Sequence, residues 1–155
     1  MMKMLKKNKG FTLIEIIVVI VILAVLMAVA VPSVLSYINE ADDAKYETAA
    51  RAVYVASTAG YAKEYAGTST VTATNLKTYI DEKLDGEVTY TSIKVYANAK
   101  GNVKGVQIEG LRPEGVTQGR GATVVGNKKV TLATSAKDTA APADDSLTGT
   151  PVEVK

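Results

Sequence analysis

The sequence predicts an α+β chain: one long N-terminal helix whose hydrophobic half protrudes and whose second half packs on an antiparallel sheet of about four strands. Three observations carry this. Ile16 to Val31 is an unbroken run of sixteen apolar residues. Tyr37 to Ala66 contains no proline, one glycine (Gly60) and abundant alanine, a composition that favours helix. Beyond residue 87 the chain turns to short segments rich in Val, Ile, Thr and Tyr, separated by Gly and Asn, as strands and turns require.

The elements follow in order. Residues 1–10 form a short basic segment, and residues 11–36 a hydrophobic helix. The remainder, 37–155, forms a globular head. In that head, residues 37–66 continue the helix and Gly67 is its expected stop. Ala41, Ala44, Ala52, Val55, Ala56, Ala59, Ala62 and Ala66 fall on one stripe at 100° per residue, while Tyr54, Tyr61 and Tyr65 gather on another. One apolar face is expected to dock on the sheet and the other on neighbouring helices; the pattern leaves open which does which.

Residues 67–86 form a helical connection. Its helix is expected over Thr74–Gly86, with Thr74 as N-cap and Leu76, Tyr79, Ile80 and Leu84 as the apolar face. Residues 87–133 supply the sheet: Val88–Ala97, a turn at Asn98–Asn102, Val103–Leu111, and a two-residue hairpin at Gly126-Asn127 between Ala122–Val125 and Lys128–Ala133. Gly119-Arg120-Gly121 reads as a loop. It is not a phosphate cradle, because no strand–glycine–helix context surrounds it. Residues 134–155 are poor in apolar side chains and read as a surface-wrapping or mobile tail, in which Val152–Val154 offers one more strand.

Composition removes whole classes of chemistry. The 155 residues contain no Cys, His or Trp, so disulfides, thiolates, the usual zinc ligands and the commonest general base are all missing. Asp81, Glu82 and Asp85 lack EF-hand spacing. No nucleophile–base pair or carboxylate constellation stands out, and neither enzyme activity, metal nor cofactor is expected. The net charge of +2 misleads. Lys3, Lys6, Lys7 and Lys9 all precede Phe11, which leaves 14 basic against 16 acidic residues after them, a balance of −2. No clustered basic face remains to hold nucleic acid. Lys128-Lys129 reads as a solvated turn.

The N-terminal forty residues carry the sharpest signal. About 23–25 apolar helical residues span roughly 35 Å, enough for a bilayer's hydrocarbon core. Lysines precede the run, whereas Glu40, Asp42 and Asp43 follow it. The positive-inside rule therefore places the N-terminus in the cytoplasm and residues 40–155 outside. Competing readings are a plain anchor, a secretory signal cleaved after Ala28-Val29-Ala30, and a buried core helix. Glu15 opposes the first two, since a carboxylate deep in a bilayer costs about 2–3 kcal/mol or more, and the unbroken apolar run next to a basic segment opposes the third.

Lys9-Gly10-Phe11-Thr12-Leu13-Ile14-Glu15, preceded by a short basic leader and followed by a continuous apolar helix, resembles the leader junction of type IV pilins and their relatives. Pro32, 21 residues after Phe11, falls where many pilins carry a helix-bending proline. The resemblance implies a pilin-like fold and cleavage by a prepilin peptidase between Gly10 and Phe11. It implies N-methylation of Phe11 and assembly of a filament in which Glu15 pairs with the new ammonium of a neighbouring subunit. Phe11 and Glu15 share a helix face, and a charge buried in apolar surroundings favours a paired state, which would fix one stagger of parallel helices. Gly10 offers the peptidase a backbone without a side chain. Pro32 lacks an N–H and is expected to kink or locally melt the helix.

The expected function is therefore a structural subunit of a type IV pilus, serving adhesion, surface motility or aggregation. The alternative is a pseudopilin of a type II secretion or DNA-uptake machine. Expected partners are further copies of the chain in a helical filament, the prepilin peptidase, the assembly machinery and, before assembly, the cytoplasmic membrane; the filament then lies outside the cell. Many Gram-negative pilins close their C-terminal region with a disulfide. This chain cannot, which leans towards a Gram-positive source.

Overall fold

A computed structural model describes residues 10–128, 130–134 and 140–155. The basic leader up to Lys9, and with it Lys3, Lys6 and Lys7, lies outside the described residues, as does Lys129. The chain divides into two units, Met1–Glu40 and Ala41–Lys155.

Helix α1 runs over Leu13–Thr68. Its first unit is apolar and uncovered: every residue from 10 to 40 is exposed. The helical assignment continues through Pro32. The missing N–H there leaves the Ala28 carbonyl without its usual donor, and one position on, the Ser33 hydroxyl donates to the Val29 carbonyl at 3.3 Å.

In the second unit, α1 packs on an antiparallel sheet together with α2 (Ala73–Leu84). The strands are β1 (Val88–Thr89), β2 (Ser92–Ala97), β3 (Val103–Pro113), β4 (Arg120–Val125), β5 (Thr131–Leu132) and β6 (Val152–Val154). Their order is β5-β4-β3-β2-β6, with β1 paired to the far end of β3. Strands β2 to β5 form a meander, and β6 returns to the opposite edge beside β2. Period-two alternation sends one set of side chains inward: Ile93, Val95, Val106, Ile108, Ala122, Val124 and Val154 join Tyr46, Ala49, Ala50 and Val53 of α1 and Leu76, Ile80 and Leu84 of α2 in one core. The α+β class holds, with a long helix on an open antiparallel sheet.

Several boundaries move. The described residues hold six strands instead of about four. Val88–Ala97 divides in two, because Gly110 (φ 63°) introduces a bulge into β3 and shifts its register between Ile108 and Leu111. The segment Val88–Thr89 then pairs beyond that bulge with Arg112 and Pro113. Arg120 and Gly121 open β4 and are not loop. Gly126 and Asn127 do occupy the centre of a turn, since the Lys128 N–H donates to the Val125 carbonyl at 3.0 Å. The ladder, however, pairs Thr123 with Thr131 and Ala122 with Leu132. That register is one residue longer than a two-residue hairpin, and β5 shrinks accordingly.

Helix α1 ends at Thr68, past Gly67. Ser69 takes the left-handed conformation (φ 57°) and its N–H reaches the Tyr65 carbonyl at 2.8 Å. The N-cap of α2 is Thr72, whose hydroxyl accepts from the Asn75 N–H, and not Thr74. Asp85, also left-handed, closes it one residue before Gly86.

Candidate functional site

The residues singled out by the sequence stand at the start of α1. Thr12 caps the helix: its hydroxyl accepts from the Glu15 N–H at 3.3 Å and its carbonyl from the same N–H at 3.1 Å. Glu15 thus occupies the third helical position of a Thr-x-x-Glu capping box. There its charge also faces the positive end of the helix dipole. Sequence reasoning missed Thr12, although the Thr-x-x-Glu spacing before an apolar run is the signal that finds it.

Phe11 is 79% exposed and Gly10 is open on all sides. A β-carbon at Gly10 would meet no atom within 4 Å, and Gly10 has no positive φ. The described fold therefore places no demand for glycine at this position. Glu15 lies in the first turn of α1, whereas Phe11 precedes the Thr12 cap and is outside the helix, so the expected shared helix face is not formed in the single chain. Pro32 lies far along the helix, near the end of the first unit.

The apolar stretch has a mean hydropathy of 3.3 over its best 18 residues, so α1 is long and apolar enough to cross a membrane. None of that window is buried. Its side chains, from Leu13 to Ile38, include Ile16, Ile17, Ile20, Leu23, Leu26 and Val34, each at least 42% exposed. An apolar surface of this extent is a contact surface for lipid or protein.

The second unit resolves the two faces of α1. Tyr46, Ala49, Ala50, Val53, Ala56, Ser57 and Gly60 are buried against the sheet and α2, with Tyr54 and Tyr61 packed beside the core. The alanine stripe is the open face: Ala41, Ala44, Ala52, Ala59, Ala62 and Ala66 are exposed, and Val55 is 64% exposed. Only Ala56 of the predicted stripe is buried. Along this face, Ala52, Val55 and Ala59 form with Tyr79 and Leu84 a groove of about 470 Å³. A second groove runs past Ala41, Ala44, Thr48 and Ala52 to Val88 and Pro113.

Polar clamps set the helix on the sheet. The Tyr46 hydroxyl donates to the Gln118 carbonyl at 2.7 Å, and the Arg120 guanidinium stacks over the Tyr46 ring while pairing with Asp43. Burial pushes the Tyr46 phenol up, keeping it a neutral donor. Arg51 donates to the Gly126 and Lys128 carbonyls of the β4–β5 turn. At the far end, Glu64 accepts from the Thr72 N–H (3.0 Å), the Thr72 hydroxyl (2.9 Å) and the Asn75 amide (2.9 Å). Burial opposes its charge, but these hydrogen bonds outweigh that and hold the carboxyl below its ordinary range. Among the described residues no group of three or more Asp, Glu, His or Cys could hold a metal.

Residues 5–31 match the family model of the prokaryotic N-terminal methylation motif. The match contains Gly10, Phe11 and Glu15 and fits a type IV pilin or pseudopilin-like protein that begins as a membrane-anchored precursor; it is silent on a Gram-positive source. It is a structural motif and not that of an enzyme family. No curated protein matches the chain, and neither does any solved structure.

Proposed function

We propose that this chain is the structural subunit of a type IV pilus, assembled by helix packing after cleavage between Gly10 and Phe11 and N-methylation of Phe11. The observation that carries this is the uncovered apolar helix behind the methylation motif. Side chains from Phe11 to Ile38 cannot remain in water, and two environments suit them: lipid before assembly and neighbouring helices afterwards. The lysine-rich leader stays in the cytoplasm and the second unit lies outside, following the charge asymmetry.

Cleavage creates an ammonium at Phe11, four residues before Glu15. In a bundle of parallel helices the Glu15 carboxylate pairs with the ammonium of the adjacent copy, because an unpaired charge among apolar side chains is costly. The alanine face of α1 is the part of the second unit that meets neighbouring helices. Small side chains let backbones approach closely, and the bulkier face is already spent on the sheet. Pro32 weakens the helix near the end of the apolar run and gives the fibre some extensibility. Adhesion, surface motility and aggregation are the outputs such a fibre serves.

Shearing cells that express the chain and viewing the released material by electron microscopy tests the reading. Long fibres composed mainly of this chain are expected. Membrane-retained protein with no fibre beyond short stubs would instead assign it to a secretion or DNA-uptake pseudopilus.

A further inference from the structure

The outer face of the sheet, opposite α1, is not open. Pairing register puts Lys94, Gln107 and Thr123 side by side on it, with Gly105 and Gly121 flanking them. Residues 140–147 lie over the β3 and β4 part of this row. A β-carbon on Gly121 would fall inside the van der Waals shell of the Ala140 carbonyl, and one on Gly105 would stand 2.7 Å from Leu147 Cδ2 as well as collide with the Val124 carbonyl. The two glycines thus form a floor shaped to a peptide backbone at one end and to a leucine at the other.

Between them a single acceptor is held by two donors. The Pro142 carbonyl accepts from Gln107 Nε2 at 3.2 Å and from the Thr123 hydroxyl. Thr123 is 1% exposed, so its hydroxyl has no solvent alternative. The Tyr96 hydroxyl donates to Gln107 Oε1 at 2.8 Å, which turns the amide nitrogen towards the proline carbonyl. Beyond Pro142, Asp144 organises a turn: its carboxylate accepts from the Ser146 N–H at 2.8 Å and its carbonyl from the Leu147 N–H at 3.1 Å. That turn drops Leu147 into a buried position. The segment itself is in no helix or strand.

We infer that the outer face of the sheet is a binding groove for an extended peptide, occupied in cis by residues 140–147, and that this strap opens as a unit separate from the helix–sheet core. The specificity is legible in the contacts: a small residue over Gly121, a backbone carbonyl between Gln107 and Thr123, and a leucine over Gly105. The core on the other face shares none of these contacts. It is made by Tyr46, Ala50, Val53, Leu76, Ile80, Ile93 and Ile108, so opening the strap leaves it intact. Local openings of this kind have free energies well below that of global unfolding.

Hydrogen exchange read by mass spectrometry on the full chain in detergent tests this. Leu147→Asp removes the anchor without altering the sheet, and Thr123→Val removes a donor while keeping the shape. Both should speed exchange across peptides covering 140–151 by about tenfold or more, while peptides covering residues 46–60 and strands β2–β4 keep wild-type protection. Gly121→Ala should do the same through its added β-carbon. The inference is overturned if faster exchange in these variants spreads to α1 and β2–β4, which would make the strap part of the core. It is equally overturned if 140–151 already exchanges in the wild type at the rate of an unprotected chain.

Discussion

Glu15 does two things that a single substitution can separate. Its backbone N–H is held by the cap that Thr12 forms, at the spacing of a capping box, and its charge is the proposed partner of a neighbour's Phe11 ammonium. Glu15→Gln keeps a side chain suited to the capping box and removes the charge. The expected outcome, by immunoblot and electron microscopy of sheared material, is a cleaved, membrane-inserted protein with filament yield as low as in Glu15→Leu. Normal yield from Glu15→Gln would reduce Glu15 to a helix cap. At Gly10, where the described fold tolerates a β-carbon, a bulky residue such as Val should accumulate uncut precursor, seen as a slower band, without changing the fold. Glu64 gives a pH prediction. Its folded carboxyl is held below the ordinary 4.5, so it adds stability above that value and loses it as pH falls through the acid range. Melting temperatures should therefore favour wild type over Glu64→Gln near neutrality, with the difference closing as pH falls below the ordinary 4.5.

At the scale of elements, α1 is a helix with two occupations in its second unit. The tyrosine-bearing face is buried on the sheet and the alanine face is open. Both stripes were visible in the sequence, but which one would meet the sheet was not. Alanine is a weak signal of burial, and the deciding residues, Tyr46, Ala49, Val53 and Gly60, lie between the stripes. Gly60 shows why: a β-carbon there would stand 2.7 Å from Tyr79 Cδ1 and 3.1 Å from Leu76 Cδ1, so glycine lets α2 close on α1. Ile80 of α2 is fully buried in the core, and Ile80→Ala should cost about 2–5 kcal/mol in denaturant unfolding. Ala59→Glu, on the exposed face, should change stability by less than about 0.5 kcal/mol and yet lower filament yield. A mutant that unfolds would show instead that the alanine face is structural.

For the whole molecule, the sequence was most readable where one constraint acts alone. Hydrophobicity by itself marks residues 16–31, and the Gly10–Phe11–Glu15 spacing stands out because a carboxylate beside an apolar run needs a reason. The α+β class followed from a change of pattern near residue 87. Legibility fell where tertiary contacts choose between local options. The register of β5 is set by the bend of the β4–β5 turn, which Arg51 grips from α1, and no local pattern encodes that grip. The division of Val88–Ala97 depends on Gly110 in a different strand. The sparse apolar content of residues 134–155 hid a strap whose hold rests on two glycines, one carbonyl and a single leucine. Thr12 was readable and overlooked, since a capping box lay inside a motif already claimed for cleavage.

The central claim is that the first residue of the working protein is Phe11 and that its ammonium serves assembly. Mass spectrometry of the N-terminal peptide from fibres sheared off expressing cells addresses it most directly. The account predicts a peptide that begins at Phe11 and carries one N-methyl group. A mature chain beginning at Val31, or fibres built from a chain that retains residues 1–10, would contradict it.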